Sequence, residues 1–236
     1  LKIAGLRIDE IDVVASGGNS RNLIRRTYLK TAVADHRRVG MLIEEIAKVS
    51  RAYNLETVFR EKTNYQGVFR EIDHHLCHMA STYYPSTFDN ALILSIDGVG
   101  DNKSLVVGIG AGNRIRTVDY MFEYPNSLGQ VYAAITSFLG WKSTHHEGVI
   151  MALASFGDPS HIVDSAHNTY YELFSEIIQY DGAQEITVSQ KWFDFFFHRD
   201  RWVSKKFTDV LGKSHFLNQI YFKFNFKKGK FQKKFY

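Results

Sequence analysis

Two histidines one helical turn apart are the first residues in this sequence that could support chemistry. His74 and His78 lie in DHHLCHMASTYY, which we expect to form a helix capped by Asp73. At positions i and i+4 their imidazoles share one helix face, and two imidazoles so placed can bind one metal ion. A polar helix surface would explain the pair equally well, so the prediction depends on a third ligand. Asp97, at the end of an apolar strand, is the candidate, although Asp-Gly is also a common turn pair.

A glycine-rich segment continues from that aspartate. It reads Asp97-Gly98-Val99-Gly100-Asp101 and lies between two predicted strands. Glycines in such a place let the backbone approach a ligand closely and present N–H groups to phosphate oxygens. Acidic residues beside the turn could orient a metal–phosphate complex. A plain hairpin explains the glycines as well, so both interpretations stay open.

Two predicted helices begin with residues that could contact a ligand. Asn126, Ser127 and Gly129 open the helix 127–139, and a Ser/Asn pair at such a position caps the helix and can also bind an anion. Capping alone is the simpler interpretation. Glu147 and Gly148 open a second apolar helix, where they could contact a ligand or could only begin the helix.

These residues must be positioned by a mixed α/β fold. The clearest helix is amphipathic and spans 39–53, and a strand is predicted near 11–15, ended by two glycines. Three strands joined by short Gly-rich turns predict an antiparallel meander. The other elements are a strand at 68–72, meander strands at 91–97, 105–109 and 115–121, helices at 74–84, 147–155 and around 170–178, and a strand at 185–189.

Composition and charge exclude several classes of protein. With 236 residues, 44% hydrophobic and 23% charged, the chain is typical of a folded globular protein and not of a disordered, collagen-like or disulfide-rich one. The single cysteine, Cys77, fits a reducing cytoplasm, and we expect neither a signal peptide nor a membrane-spanning helix. We therefore expect a cytoplasmic protein.

The net charge of +4 comes from the carboxyl-terminal segment. Residues 221–236 hold six lysines and no acid, which leaves 23 Lys and Arg against 25 Asp and Glu in residues 1–220. A basic face for nucleic acid is therefore not expected on residues 1–220. The Lys/Phe-rich segment could be a basic membrane-surface segment, but its biased composition favours an error in the reading frame, and we assign it no function.

The order and spacing of these motifs resemble the O-carbamoyltransferase family, whose members act in nodulation-factor and antibiotic biosynthesis. The resemblance covers residues 5–215 and is carried by DHHLCHMASTYYPSTFDNALILSIDGVGD (73–101), NSLGQVYAAITSFLGWK (126–142) and HEGVIMALASFGDP (146–159). It implies an actin/Hsp70/sugar-kinase-like (ASKHA) domain, incomplete at both ends, in residues 1–220. It also implies an ATP-dependent transferase.

The resemblance further implies a site and a reaction. His74, His78 and Asp97 would bind a divalent metal, iron in at least some members. Carbamoyl phosphate and ATP would give carbamoyl adenylate in another domain, and the hydroxyl of a small-molecule or sugar-containing acceptor would then attack its carbonyl in this one. The residues that would line the nucleotide cleft are Gly98, Gly100, Asp101, Asn126, Ser127, Gly129, Glu147 and Gly148.

Several departures from the family pattern keep alternatives open. The family's Glu-Gly-Lys-Val-Met-Gly run has Val149 and Ala152 in place of its Lys and second Gly. From the resemblance we expect the family's amino-terminal His-Asp strand, fourth Asp ligand and adenylate-forming domain to lie outside this sequence. We therefore expect this piece alone to be inactive, and we assign no catalytic residue. The alternatives are a truncated, non-catalytic paralogue, a threonylcarbamoyl-type transferase acting on tRNA, which the near-neutral body disfavours, and a sugar kinase, which would not need the histidine pair.

Overall fold

A parallel pair of strands begins the architecture. The computed structural model describes residues 2–163, 167–182, 185–198 and 200–213, so the Lys/Phe-rich segment 221–236 lies outside the described residues. Strand β1 (Val13–Gly17) pairs in parallel with β2 (Val68–Ile72), with Val13 opposite Val68 and Gly17 opposite Ile72. A parallel pair needs a long crossover connection, and here helices α1 (Ser20–Asn22) to α4 (Leu55–Thr63) supply it.

The crossover is almost entirely helical. In chain order it contains α1, a π-helical stretch (Leu23–Leu29), α2 (Lys30–Ala34), a short 3-10 turn (His36–Arg38), α3 (Val39–Tyr53) and α4. Arg38 is buried and links this region to the second half of the chain. Its guanidinium donates to the carbonyls of Thr27 and Phe196 and stacks 4.2 Å above the Phe196 ring.

Helix α5 (His74–Tyr83) is followed by an antiparallel meander, and the helix packs against one face of this sheet. The strands are β3 (Asn90–Gly100), β4 (Lys103–Ala111) and β5 (Arg114–Glu123). Met79 and Tyr83 of α5 pack on Ile93 and Val106 to form a small core. The tight contact explains Gly110, where a Cβ would lie 2.5 Å from the Tyr83 ring.

The second half of the chain forms a larger, aromatic core. Helix α6 (Leu128–Phe138) packs there with later elements, and Trp192, Phe193 and Phe207 are almost fully buried. The remaining elements are two short 3-10 turns before β1 (Lys2–Ala4 and Ile8–Glu10), α7 (Glu147–Ala154), β6 (Ile162–Val163), β7 (Asn168–Thr169), α8 (Tyr170–Ile177), β8 (Ile178–Tyr180), β9 (Ile186–Val188) and α9 (Lys205–Leu211).

Most predicted elements are confirmed, and two boundaries are corrected. The predictions of a mixed α/β protein, of the helix 39–53 and strand 68–72, and of the meander are confirmed. Strand β1 begins two residues later than predicted because its limits follow its pairing with β2. The first meander turn is only Asp101-Asn102, because β3 continues through the glycines and absorbs them in a register shift between Ile96 and Gly100. The ASKHA assignment stays a prediction.

Candidate metal centre

The candidate centre lies at the junction between β2 and α5. Because β1 and β2 run in parallel, their carboxyl ends meet at one edge, the usual place for a site in such sheets. Asp73 caps α5 as predicted: its carboxylate accepts from the amide of Leu76 at 3.0 Å and from Lys103 Nζ at 3.0 Å. The first helical turn therefore has a fixed start, and His74 is its first residue.

The three predicted metal ligands converge. His74 Nε2 lies 2.8 Å from Asp97 Oδ2 and 3.0 Å from His78 Nε2, and His78 Nε2 lies 3.6 Å from the same carboxylate oxygen. The side chains of His74 and Asp97 are about one-third exposed and that of His78 about half. The group therefore opens to solvent on the His78 side, where a ligand could approach.

These distances fit a shared cation. Two ligand atoms about 2.1 Å from one ion lie about 3.0–3.4 Å apart for angles between square and tetrahedral. The observed separations of 2.8, 3.0 and 3.6 Å bracket that range. Imidazole nitrogen with carboxylate oxygen is a donor set that borderline transition metals accept. The residues present thus fit a divalent metal, with one side of the group free for other ligands.

The carbonyl of Gly17 orients the first histidine. It lies 3.3 Å from His74 Nδ1 and accepts from that nitrogen when it carries the ring proton, which would leave the lone pair of Nε2 for a metal. A carbonyl in this place fixes both the tautomer and the orientation of a ligating imidazole. The sequence alone predicts Gly17 only as the end of a strand and does not indicate this contact. A glycine at the carboxyl end of a parallel strand was the available signal.

Electrostatics keep the aspartate ionised. Burial favours the neutral form of Asp97, but hydrogen bonds from the Gly98 amide and from His74 outweigh burial, so the pKa of Asp97 lies below its usual value. In the metal-free chain a proton on His74 Nε2 satisfies the 2.8 Å contact with Asp97 Oδ2, and a cation bound between Nε2 and Oδ2 would take the place of that proton.

The neighbouring His75 has a separate, structural environment, in agreement with the helical spacing. It is fully buried, with Nδ1 2.8 Å from the Ser95 hydroxyl and Nε2 3.1 Å from the Lys103 carbonyl. Burial lowers the pKa of His75 below its usual value. The ring is therefore neutral and links α5 to both β3 and β4.

The glycine-rich segment lies against the histidines. A Cβ at Gly100 would lie 2.3 Å from His74 Cδ2, so only glycine leaves room for the ring. Gly98 donates its amide to Asp97 Oδ1 at 2.7 Å. Asp101 is 7% exposed, and its carboxylate accepts from the amides of Asn19 at 2.6 Å and His74 at 3.1 Å. Contact of these residues with a nucleotide stays a prediction.

The start of α6 packs closely against β3, the strand that carries Asp97. Ser127 caps the helix, accepting from the Gln130 amide at 3.0 Å and donating to the Gly98 carbonyl at 2.6 Å. A Cβ at Gly129 would lie 2.6 Å from backbone atoms of Asp97 and Gly98. Asn126 accepts from the Val188 amide at 3.2 Å and thereby ties this corner to β9. Three predicted binding residues therefore hold the corner together.

Glu147 and Gly148 begin α7 as predicted, but their contacts are local. The Glu147 carboxylate accepts from the amide of Thr144, three residues earlier, and a Cβ at Gly148 would meet nothing within 4 Å. Gly148 is exposed, so a ligand could reach it.

Among the described residues, no helix has the length and apolar character needed to cross a membrane.

These features define an α/β protein with a His–His–Asp centre at the end of a parallel strand pair. Residues 12–222 match the family model described as "Carbamoyltransferase N-terminus". The chain therefore belongs to the carbamoyltransferase amino-terminal domain family.

Individual relatives agree with this assignment. Nodulation protein NolNO of Sinorhizobium fredii is 33% identical over 111 residues, 47% of this chain and 15% of the relative. An uncharacterized Synechocystis protein is 38% identical over 90 residues, 38% of this chain and 14% of the relative. A Methanocaldococcus jannaschii protein, also uncharacterized, is 24% identical over 198 residues, 78% and 30% of the two chains. The chain thus spans less than one-third of the length of each of these relatives.

Proposed function

We propose that this chain is the metal- and nucleotide-binding part of a carbamoyltransferase. In this proposal His74, His78 and Asp97 hold a divalent cation, with iron as the expected metal. A carbamoyl group passes from carbamoyl adenylate, made from carbamoyl phosphate and ATP, to a hydroxyl of a small-molecule or sugar-containing acceptor. The observation that carries the proposal is the convergence of His74 Nε2, His78 Nε2 and the Asp97 carboxylate, whose ligand atoms lie 2.8, 3.0 and 3.6 Å apart.

The chain's own residues would bind the metal and orient the side chains that hold it. When bound, the metal would polarise the carbamoyl carbonyl and stabilise the negative charge that develops on its oxygen. The Gly17 carbonyl would accept the proton of a metal-bound His74 at Nδ1, so that Nε2 binds the metal. Gly98, by donating to Asp97 Oδ1, leaves Oδ2 directed at the two histidines. The half-exposed His78 marks the side from which adenylate and acceptor would enter.

Metal binding is the first test. We expect isothermal titration of the full chain with Co²⁺ to give one site, and His78→Ala to weaken it at least tenfold, because one of three ligands is lost. His145→Ala is the matched control, since His145 lies in an exposed loop and bonds to Ser143 and Thr144. Equal affinities for all three proteins would contradict the metal centre.

Nucleotide binding is tested separately. AMP, as the adenylate part of the intermediate, is titrated into the chain with and without saturating Co²⁺. We expect binding that strengthens with Co²⁺, because the glycine-rich segment lies beside the metal ligands. If Co²⁺ binds and AMP does not, the metal centre stands and the nucleotide part of the proposal fails.

A further inference from the structure

Asp101 is a buried carboxylate beside the candidate metal centre, yet it is not one of the converging metal ligands. It is 7% exposed and occupies the two-residue turn between β3 and β4, with a left-handed backbone at φ 59°. A buried carboxylate needs hydrogen-bond donors, and its donors show which segments it joins.

Those donors come from two segments that are distant in sequence. One carboxylate oxygen accepts from the amide of Asn19, just after β1, and the other accepts from the amide of His74, the first residue of α5. The backbone carbonyl of Asp101 accepts from the Thr27 hydroxyl at 3.0 Å. One residue therefore joins the β1 loop, the helical crossover and the start of α5 to the turn that follows Asp97.

The β1 loop matters because it carries the group that orients His74. The Gly17 carbonyl contacts His74 Nδ1, and a Cβ at the next residue, Gly18, would lie 3.6 Å from Asp101 Oδ1 and 3.9 Å from His74 Nδ1. Carboxylate, loop and imidazole are thus in mutual proximity. By holding the amides of Asn19 and His74 together, the Asp101 carboxylate also holds the nearby Gly17 carbonyl against the His74 ring.

We propose that Asp101 is a positioning residue whose carboxylate, by binding the amides of Asn19 and His74, sets the position and direction of the His74 ring toward Asp97. This inference rests on the proposed function in one respect: the aligned ring is taken to serve cation binding. The alignment itself is a property of the metal-free chain and can be measured without metal.

The test variant is Asp101→Asn in the full chain. Asparagine tolerates the left-handed backbone and keeps the shape of the side chain, but it turns one acceptor into an NH₂ group that faces an N–H donor. Asp73→Asn is the matched control. It makes the same chemical change at the same helix start, where the partners are Leu76 and Lys103 instead of the β1 loop.

Two readouts are compared at a temperature at which circular dichroism shows all proteins folded. The first is Co²⁺ affinity by isothermal titration, for which we expect a loss of about 10- to 100-fold in Asp101→Asn and of less than about threefold in Asp73→Asn. The second is the ¹⁵N shifts of the His74 ring in the metal-free protein, which report its tautomer and hydrogen bonding. We expect these to change in Asp101→Asn alone.

The outcomes separate this inference from the proposed function. Unchanged His74 shifts in Asp101→Asn, or equal losses of affinity in both variants, overturn the positioning role. If the wild-type chain binds no Co²⁺ but the shifts still change in Asp101→Asn alone, the positioning role stands and the metal centre fails. Should Asp101→Asn not fold, Asp101→Gly, which fits the same backbone without a carboxylate, goes through the same comparison.

Discussion

Replacing Gly129 by alanine tests how closely α6 approaches the strand that carries Asp97. The new Cβ would lie 2.6 Å from the Asp97 carbonyl carbon and 2.6 Å from the Gly98 nitrogen, against 3.4 Å or more for ordinary contact. Since both neighbours are backbone atoms, the helix start must move away from β3 to relieve the overlap. Overpacking of this kind costs about 1–3 kcal/mol, whereas the gain from alanine in a helix is at most ~1 kcal/mol.

Because the overlap is with three backbone atoms at 2.6–2.7 Å, we take the upper part of the overpacking cost, about 2–3 kcal/mol; less the helix gain of ~1 kcal/mol, Gly129→Ala should lower the free energy of unfolding by about 1–2 kcal/mol. Gly148→Ala is a matched control, because Gly148 is also the second residue of its helix and a Cβ there would meet nothing within 4 Å. It should leave stability unchanged or raise it by up to ~1 kcal/mol.

The assay is urea unfolding followed by far-ultraviolet circular dichroism, with Co²⁺ titration of the folded proteins. Because movement of the helix start breaks the hydrogen bond from Ser127 to the Gly98 carbonyl, next to Asp97, Gly129→Ala should also weaken Co²⁺ binding, and Gly148→Ala should not. A Gly129→Ala protein as stable as the wild type would refute the close approach of α6 to β3. Packing against the β3 backbone would then not be the reason that α6 needs a glycine at this position.

Three further predictions rest on single contacts. Gly100→Ala should abolish Co²⁺ binding in titrations, because its Cβ would occupy the space of the His74 ring. Asp73→Ala should lower the free energy of urea unfolding by about 0.5–2 kcal/mol through loss of the helix cap. Burial, opposed by Arg38, raises the pKa of Tyr124 to about 12. Between about pH 10 and 12 the wild type should therefore lose about 2–3 kcal/mol of stability that Tyr124→Phe does not lose.

Each of the three has a result that would contradict it. Wild-type Co²⁺ affinity in Gly100→Ala would show that the His74 ring lies elsewhere. Unchanged stability of Asp73→Ala would mean that α5 does not depend on its cap. The folded state holds the Tyr124 proton more tightly than the unfolded state, so its contribution to stability is complete below the pKa of an unfolded tyrosine and is lost as the pH rises toward the raised pKa. Parallel pH profiles of stability for the wild type and Tyr124→Phe would refute this prediction.

Local sequence determined most of the elements and the identity of the candidate metal ligands. Helix α3 follows from its apolar period and α5 from its Asp73 cap, because both signals act within a few residues. The prediction that His74 and His78 share a helix face needs only the α-helical period, which brings positions i and i+4 together. The prediction of Asp97 as their partner needs only its place at the end of an apolar run. The structure brings all three together.

Tertiary structure decided what the glycines and Asp101 do. Glycine is compatible with a turn, a phosphate contact or a tight packing contact, and only the neighbour across the fold selects among them. At Gly100 that neighbour is the His74 ring, and at Gly129 it is the backbone of β3. The sequence predicts Asp101 as a nucleotide contact, but its amide partners at Asn19 and His74 lie 82 and 27 residues away in sequence. No local pattern encodes such a pairing, because the fold alone brings those amides to one carboxylate.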